Sequence, residues 1–201
     1  ATPTITADRV YAFGATGRLC CLDRDGGHVI WTRDVLADHG ARLNEWGMSG
    51  SPLLFDGRVI VCAGGPDGHS LVAYDANDGS PVWSAGDDRA GYASPELVTL
   101  CGEQQILALN GGSIAAHDAH TGTLRWSFPW PDRNPNVAQP RVVAGDRVLV
   151  SSGYGVGCGM LQITRSADDN WQATSLWKTL SLKAKFANFV TNDGFAYGLD
   201  D

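Results

Sequence analysis

One eleven-residue frame recurs along the chain and dictates its fold. Its fullest copy runs from Ala116 to Trp126, with Asp118, Thr121, Gly122 and Trp126 at fixed offsets. Ala73 opens a second copy with Asp75, Gly79 and Trp83, and Cys21 opens a third with Asp23, Gly27 and Trp31. A repeat at such spacing marks an array of similar small units, so it is read before anything else. Short apolar runs such as Leu71–Tyr74 and Pro81–Trp83 flank each turn, which makes the frame two strands joined by a tight turn. Asp opens the turn because its carboxylate accepts from backbone N–H groups two residues on. Gly four positions later supplies the positive φ of a type I turn with a bulge. A large flat ring once per unit suits packing between neighbouring units, and truncating one costs roughly 3–5 kcal/mol.

A second landmark keeps step. Pro3, Pro52, Pro95 and Pro140 each precede an apolar strand, at spacings of 49, 43 and 45 residues. The tryptophans Trp31, Trp83, Trp126 and Trp177 are 52, 43 and 51 residues apart. Units of this length are blades of four strands, with Pro at the strand entrance, where its missing N–H costs least. The sequence therefore predicts an all-β propeller of antiparallel four-stranded blades over residues 1–34, 50–85, 93–128 and 138–180. A partial blade follows over 186–201. Val59–Cys62 is apolar on both faces, as an inner strand between stacked blades requires. In the fourth unit Arg165–Asn170 replaces the Asp-to-Gly turn, so a longer hairpin is expected ahead of Trp177. Propellers close with typically 4–8 blades. Four and a half units read as a fragment of a larger ring of 7–8 blades, a single partial domain over 1–201 with open sheet faces at its ends.

The frame resembles the tryptophan-docking repeat of the pyrroloquinoline-quinone (PQQ)-type β-propellers. That superfamily includes periplasmic quinoprotein alcohol dehydrogenases and an outer-membrane-assembly propeller lipoprotein that binds no quinone. The resemblance covers essentially the whole chain. It implies export to the periplasm or cell surface, and two functions. The leading one is a non-catalytic or degenerate propeller serving as a binding scaffold for a protein or glycan. The other is a fragment of a PQQ- and calcium-dependent alcohol or sugar dehydrogenase, in which a vicinal disulfide lies over the quinone.

Residue by residue, the sequence offers little catalytic chemistry. The five cysteines are scattered without a C-x-x-C pair, and Cys20–Cys21 lies in a strand, where adjacent side chains point to opposite faces. His117 and His120 bracket a hairpin turn with no ligand cluster beside them. Gly153–Gly159 is glycine-rich but leads into a strand, so it reads as a hairpin loop. Asp23, Asp75 and Asp118 belong to turns, and no catalytic or metal-ligating residue is assigned. The net charge is −7 with no basic run, which argues against a nucleic-acid partner; Lys178, Lys183 and Lys185 read as a solvated connector. No apolar run reaches the ~20 residues of a membrane span, and the chain opens without a charged-then-apolar leader. The insertion between the first two units is the candidate binding loop. Glu45, Trp46 and Met48, with Tyr92, would line a rim there; alternatively Trp46 plugs a gap between the first two blades.

Overall fold

In the computed structural model, which describes residues 1–200, the frame becomes four antiparallel four-stranded sheets and one two-stranded sheet. Asp201, the last residue of the expected fifth unit, lies outside the described residues. The first sheet is β1 (Thr4–Ile5), β2 (Arg9–Phe13), β3 (Arg18–Asp23) and β4 (Val29–Asp34). A short helix α1 (Val35–Asp38) follows. The second sheet is β5 (Leu53–Phe55), β6 (Arg58–Gly65), β7 (His69–Asp75) and β8 (Pro81–Ala85). The third is β9 (Glu96–Leu100), β10 (Glu103–Leu109), β11 (Ser113–Asp118) and β12 (Leu124–Pro129). The fourth is β13 (Arg141–Val143), β14 (Arg147–Ser152), β15 (Gly157–Arg165) and β16 (Trp171–Thr179). The last pair is β17 (Val190–Asn192) and β18 (Phe195–Tyr197). Within each sheet, strands pair in chain order. This is the propeller-blade meander, and the ring is open.

Each third and fourth strand pair in the same way. Trp31 lies opposite Cys21, Trp83 opposite Ala73, Trp126 opposite Ala116 and Trp177 opposite Met160. In every case the register shifts immediately after the partner residue. A bulge adds one residue to one strand and increases the local twist, which fixes where the ring leaves the sheet. Asp56–Gly57, Cys101–Gly102 and Asp193–Gly194 each place both residues at positive φ, the type I′ conformation that matches the right-handed twist of a hairpin.

The cores lie between sheets. Val59, Ile60 and Val61 of β6 are at most 1% exposed and belong to a cluster that joins Tyr11, Leu19 and Trp31 of the first sheet to Ile106 of the third. A second cluster joins Leu109, Ile114 and Trp126 to Val148 and Leu161. Strands buried on both faces explain the unbroken apolar runs where a one-sided sheet would alternate. α1 was not legible in the sequence: four residues carry no helical period, and its signal is Asp34, whose carboxylate accepts from Ala37 N–H at 3.1 Å as an N-cap.

Candidate functional site

The turns use the repeated carboxylates. Asp118 Oδ1 accepts from His120 N and Thr121 N at 3.0 and 2.7 Å. Asp75 Oδ1 accepts from Asn77 N at 2.7 Å, and Asp23 accepts from Gly26 N and His28 N, both at 2.6 Å. Burial works to raise the Asp118 carboxyl, but the Thr121 and His120 donors and Arg125 outweigh it and hold it below its ordinary value. The Gly26 N–H holds Asp23 low in the same way. The backbone N–H of Gly27, Gly79 and Gly122 closes each turn onto its Asp carbonyl, with φ of +70, +73 and +77.

The rings of one sheet pack onto the turn of the next. A Cβ built on Gly79 would lie 2.7 Å from Trp31 Cε3, and one on Gly122 would lie 2.4 Å from Trp83 Cε3. Gly79 and Gly122 thus leave room for the ring of the preceding blade, whereas a Cβ on Gly27 would meet nothing within 4 Å. Trp31 Nε1 also donates to Ala76 O at 3.1 Å, whereas buried Trp83 Nε1 has no partner among the described residues. Trp126 faces the sheet whose turn departs from the frame, and it donates to Gln105 Oε1 at 3.0 Å. Here an ionic layer joins the third and fourth sheets. Arg125 reaches Asp118 and Glu103 at 2.8 and 3.2 Å, Arg165 reaches Glu103 at 2.7 Å, and both guanidinium groups lie over Trp171. Trp177 is 45% exposed beside the partial sheet.

Three successive connections, each leading from a fourth strand to the next sheet, meet at one recess of about 170 Å³. It brings together Glu45, Trp46, Arg89, Tyr92, Asp132 and Arg133. The Trp46 ring stands 5.8 Å from that of Tyr92 and is 62% exposed, so it fills no gap between blades. Met48 does not line the recess. The chain turns inward at Gly47, Met48 N bonds Ala15 O at 2.8 Å, and its side chain is buried in the core at 5% exposure. Arg89, Asp132 and Arg133 were missed in the sequence; aligning the successive connections would have flagged them, since they occupy the same place in later units.

The remaining candidates disperse. Cys20 and Cys21 are free thiols, one partly exposed and one buried. His117 is buried, while His120 is exposed near Asp56. Lys178 lies over Trp130 and Phe128, Lys185 over Tyr154, and Lys183 pairs with Asp200 at 2.8 Å. Among the described residues, no three His, Cys, Asp or Glu side chains converge to hold a metal ion. Calcium needs six to eight oxygen ligands, and the described residues gather no carboxylate cluster to supply them.

The family model described as "Outer membrane protein assembly factor BamB" matches residues 1–201. The chain belongs to this family of PQQ-like propeller repeats. It is 30% identical over 164 residues to the quinohemoprotein alcohol dehydrogenase ADH IIB of Pseudomonas putida, covering 72% of this chain and 22% of that protein. It is 29% identical over 182 residues to the dehydrogenase subunit of the quinone alcohol dehydrogenase of Gluconobacter oxydans (strain 621H), covering 76% and 22%. The chain thus spans about a fifth of these curated relatives. Among solved structures, BamB from Moraxella catarrhalis matches with a TM-score of 0.54 at 19% identity, covering 86% of this chain and 58% of that one. Quinohemoprotein alcohol dehydrogenase from Comamonas testosteroni matches with 0.56 at 17%, covering 98% and 37%. These structures share the fold. No helix among the described residues is long and apolar enough to cross a membrane.

Proposed function

We propose that the chain is part of a non-catalytic, quinoprotein-like propeller that works as a binding scaffold in the periplasm or at the cell surface. The observation that carries this reading is the use of the repeated groups. The frame carboxylates cap their own turns, and two frame rings pack on the next turn. Recognition is left to the connections, where Glu45, Trp46 and Tyr92 line an open recess. The family description, an assembly factor for outer-membrane proteins, supports a protein partner over a glycan. An exposed aromatic pair beside opposite charges is the kind of anchor a protein interface uses.

A second reading has its own support: the 30% identity to a quinohemoprotein alcohol dehydrogenase. Under it the chain would be a segment of a PQQ- and calcium-dependent enzyme oxidising an alcohol or sugar. The two readings part in a dye-linked oxidation assay on the full-length protein supplied with PQQ and calcium. The scaffold gives no turnover above the blank with primary alcohols or aldoses. Substrate-dependent dye reduction overturns it.

A further inference from the structure

The insertion that presents Trp46 is fastened to the second sheet through a histidine. Val35 and Met48 anchor its two ends in the core, at 0% and 5% exposure, and none of residues 36–47 between them is buried. Toward its far end, Asn44 Nδ2 donates to Ala90 O and Gly91 O, both at 3.3 Å. Toward its near end the fastening is His39, the residue that ends α1. His39 Nε2 lies 2.8 Å from the Tyr74 hydroxyl on β7, and that hydroxyl donates to Asp38 Oδ2 at 3.3 Å. Gly65 on β6 lets the chain come this close, because a Cβ there would lie 2.6 Å from His39 O.

This fastening suits a neutral ring and not a charged one. A neutral imidazole donates from Nε2 to the Tyr74 oxygen and leaves only a lone pair on Nδ1. A protonated imidazole donates from both nitrogens, and Nδ1 is buried with no partner among the described residues. A charged N–H left there without an acceptor carries its full desolvation penalty. The neighbours reinforce this. His69, on β7, stands ring to ring with His39 at 4.9 Å, and its Nδ1 donates to Pro66 O at 2.9 Å. Arg33, on β4, pairs with Asp38 at 2.9 Å and lies 5.6 Å from the Tyr74 ring centre. Asp38, on α1, is the one anion among the groups that act on the ring, and it is already shared with Arg33 and Tyr74. Burial first, then His69 and Arg33, lower the pKa of His39 against the pull of Asp38.

We propose that His39 is an acid-operated latch on the insertion. Neutral, it holds residues 39–46 against β7. Protonated, it turns its ring to water, leaves Tyr74, and frees the stretch that presents Glu45 and Trp46. Release disrupts no core, because Gly40, at φ +59, and the residues up to Gly47 are not buried. Acid thereby disorders one wall of the recess and weakens partner binding there; this consequence rests on the scaffold reading, whereas the latch itself does not.

The test is an NMR titration of the full chain from about pH 8 to about pH 4.5, across the range where histidine changes charge. It follows Cε1 of His39, the nuclear Overhauser contact between the His39 and Tyr74 rings, whose centres lie 5.8 Å apart, and the indole N–H of Trp46. Loss of the ring contact and a shift of the Trp46 indole, both at the His39 midpoint, are the expected result, with Val59, Ile60 and Val61 of the core unmoved. In His39→Gln, which can still donate to Tyr74 but cannot gain charge, the Trp46 indole should stay flat. A ring contact that survives protonation overturns the latch, as does a Trp46 indole that ignores the His39 midpoint. So does a core that moves at the same midpoint, since the change is then global unfolding. These wild-type comparisons need no variant. No partner or quinone enters the readout, so failure of the latch and failure of the scaffold reading are separate results.

Discussion

The three frame glycines form a natural experiment on what holds adjacent blades together. Gly27, Gly79 and Gly122 close the same turn at nearly the same φ. They differ in what lies above them. A Cβ on Gly27 meets nothing within 4 Å, whereas on Gly79 and Gly122 it strikes the rings of Trp31 and Trp83. Replacing each by alanine therefore imposes a common cost and a site-specific one. The common cost is left-handed backbone with a side chain, about 1–2 kcal/mol, offset alike at all three by the stiffer unfolded chain. The specific cost is overpacking against a ring, about 1–3 kcal/mol. Gly79→Ala and Gly122→Ala should thus lose about 1–3 kcal/mol more than Gly27→Ala. Urea unfolding with unchanged m-values reads the difference. Equal losses at all three positions would refute the reasoning, because the rings would then bear no energetic relation to the turns beneath them.

Other outcomes follow from particular contacts. Trp31→Phe should cost about 1 kcal/mol more than Trp83→Phe, since of these two rings only Trp31 has its indole N–H bonded among the described residues; urea midpoints check this. His39 should make the fold acid-sensitive. Its Nε2 lies 2.8 Å from the Tyr74 hydroxyl, which donates to Asp38, and its Nδ1 is buried with no partner among the described residues. Burial, then His69 4.9 Å away, depresses its pKa below 6.5, with Arg33 adding to this and Asp38 opposing it. A neutral group with a lowered folded pKa stabilises above its unfolded value and loses that contribution as pH falls through the folded one. The urea midpoint should drop between pH 7 and the folded value, and His39→Gln should flatten that drop; an unaltered profile would contradict it. Arg125→Met should cost about 2 kcal/mol, because it strips the layer joining the third and fourth sheets.

The regular part of the fold was legible because one turn chemistry recurs at constant offset. The Asp, the positive-φ Gly and the Trp are local requirements, and local requirements print themselves on sequence. What crosses blades does not. The repeat places each ring between neighbouring units, but nothing in the spacing says that Trp31 meets Gly79, because periodicity is silent about which residue of the neighbour a ring covers. The fourth sheet shows the same limit. Its altered turn was visible, but the guanidinium–Trp171 layer that replaces the ring contact was not, since it draws on Arg125 and Glu103 from another sheet. At the recess, Trp46 and Tyr92 stood out as aromatics in irregular segments. Met48 looked equivalent, yet a single left-handed residue, Gly47 at φ +76, turns it into the core.

The proposed scaffold role requires that these repeats hold blades together and assemble no quinone site. Its most direct test is a calorimetric titration of PQQ with calcium into the full-length folded protein. No saturable heat is expected at any concentration reached. Saturable binding near micromolar, lost when calcium is removed, would contradict the claim and establish the dehydrogenase reading in its place.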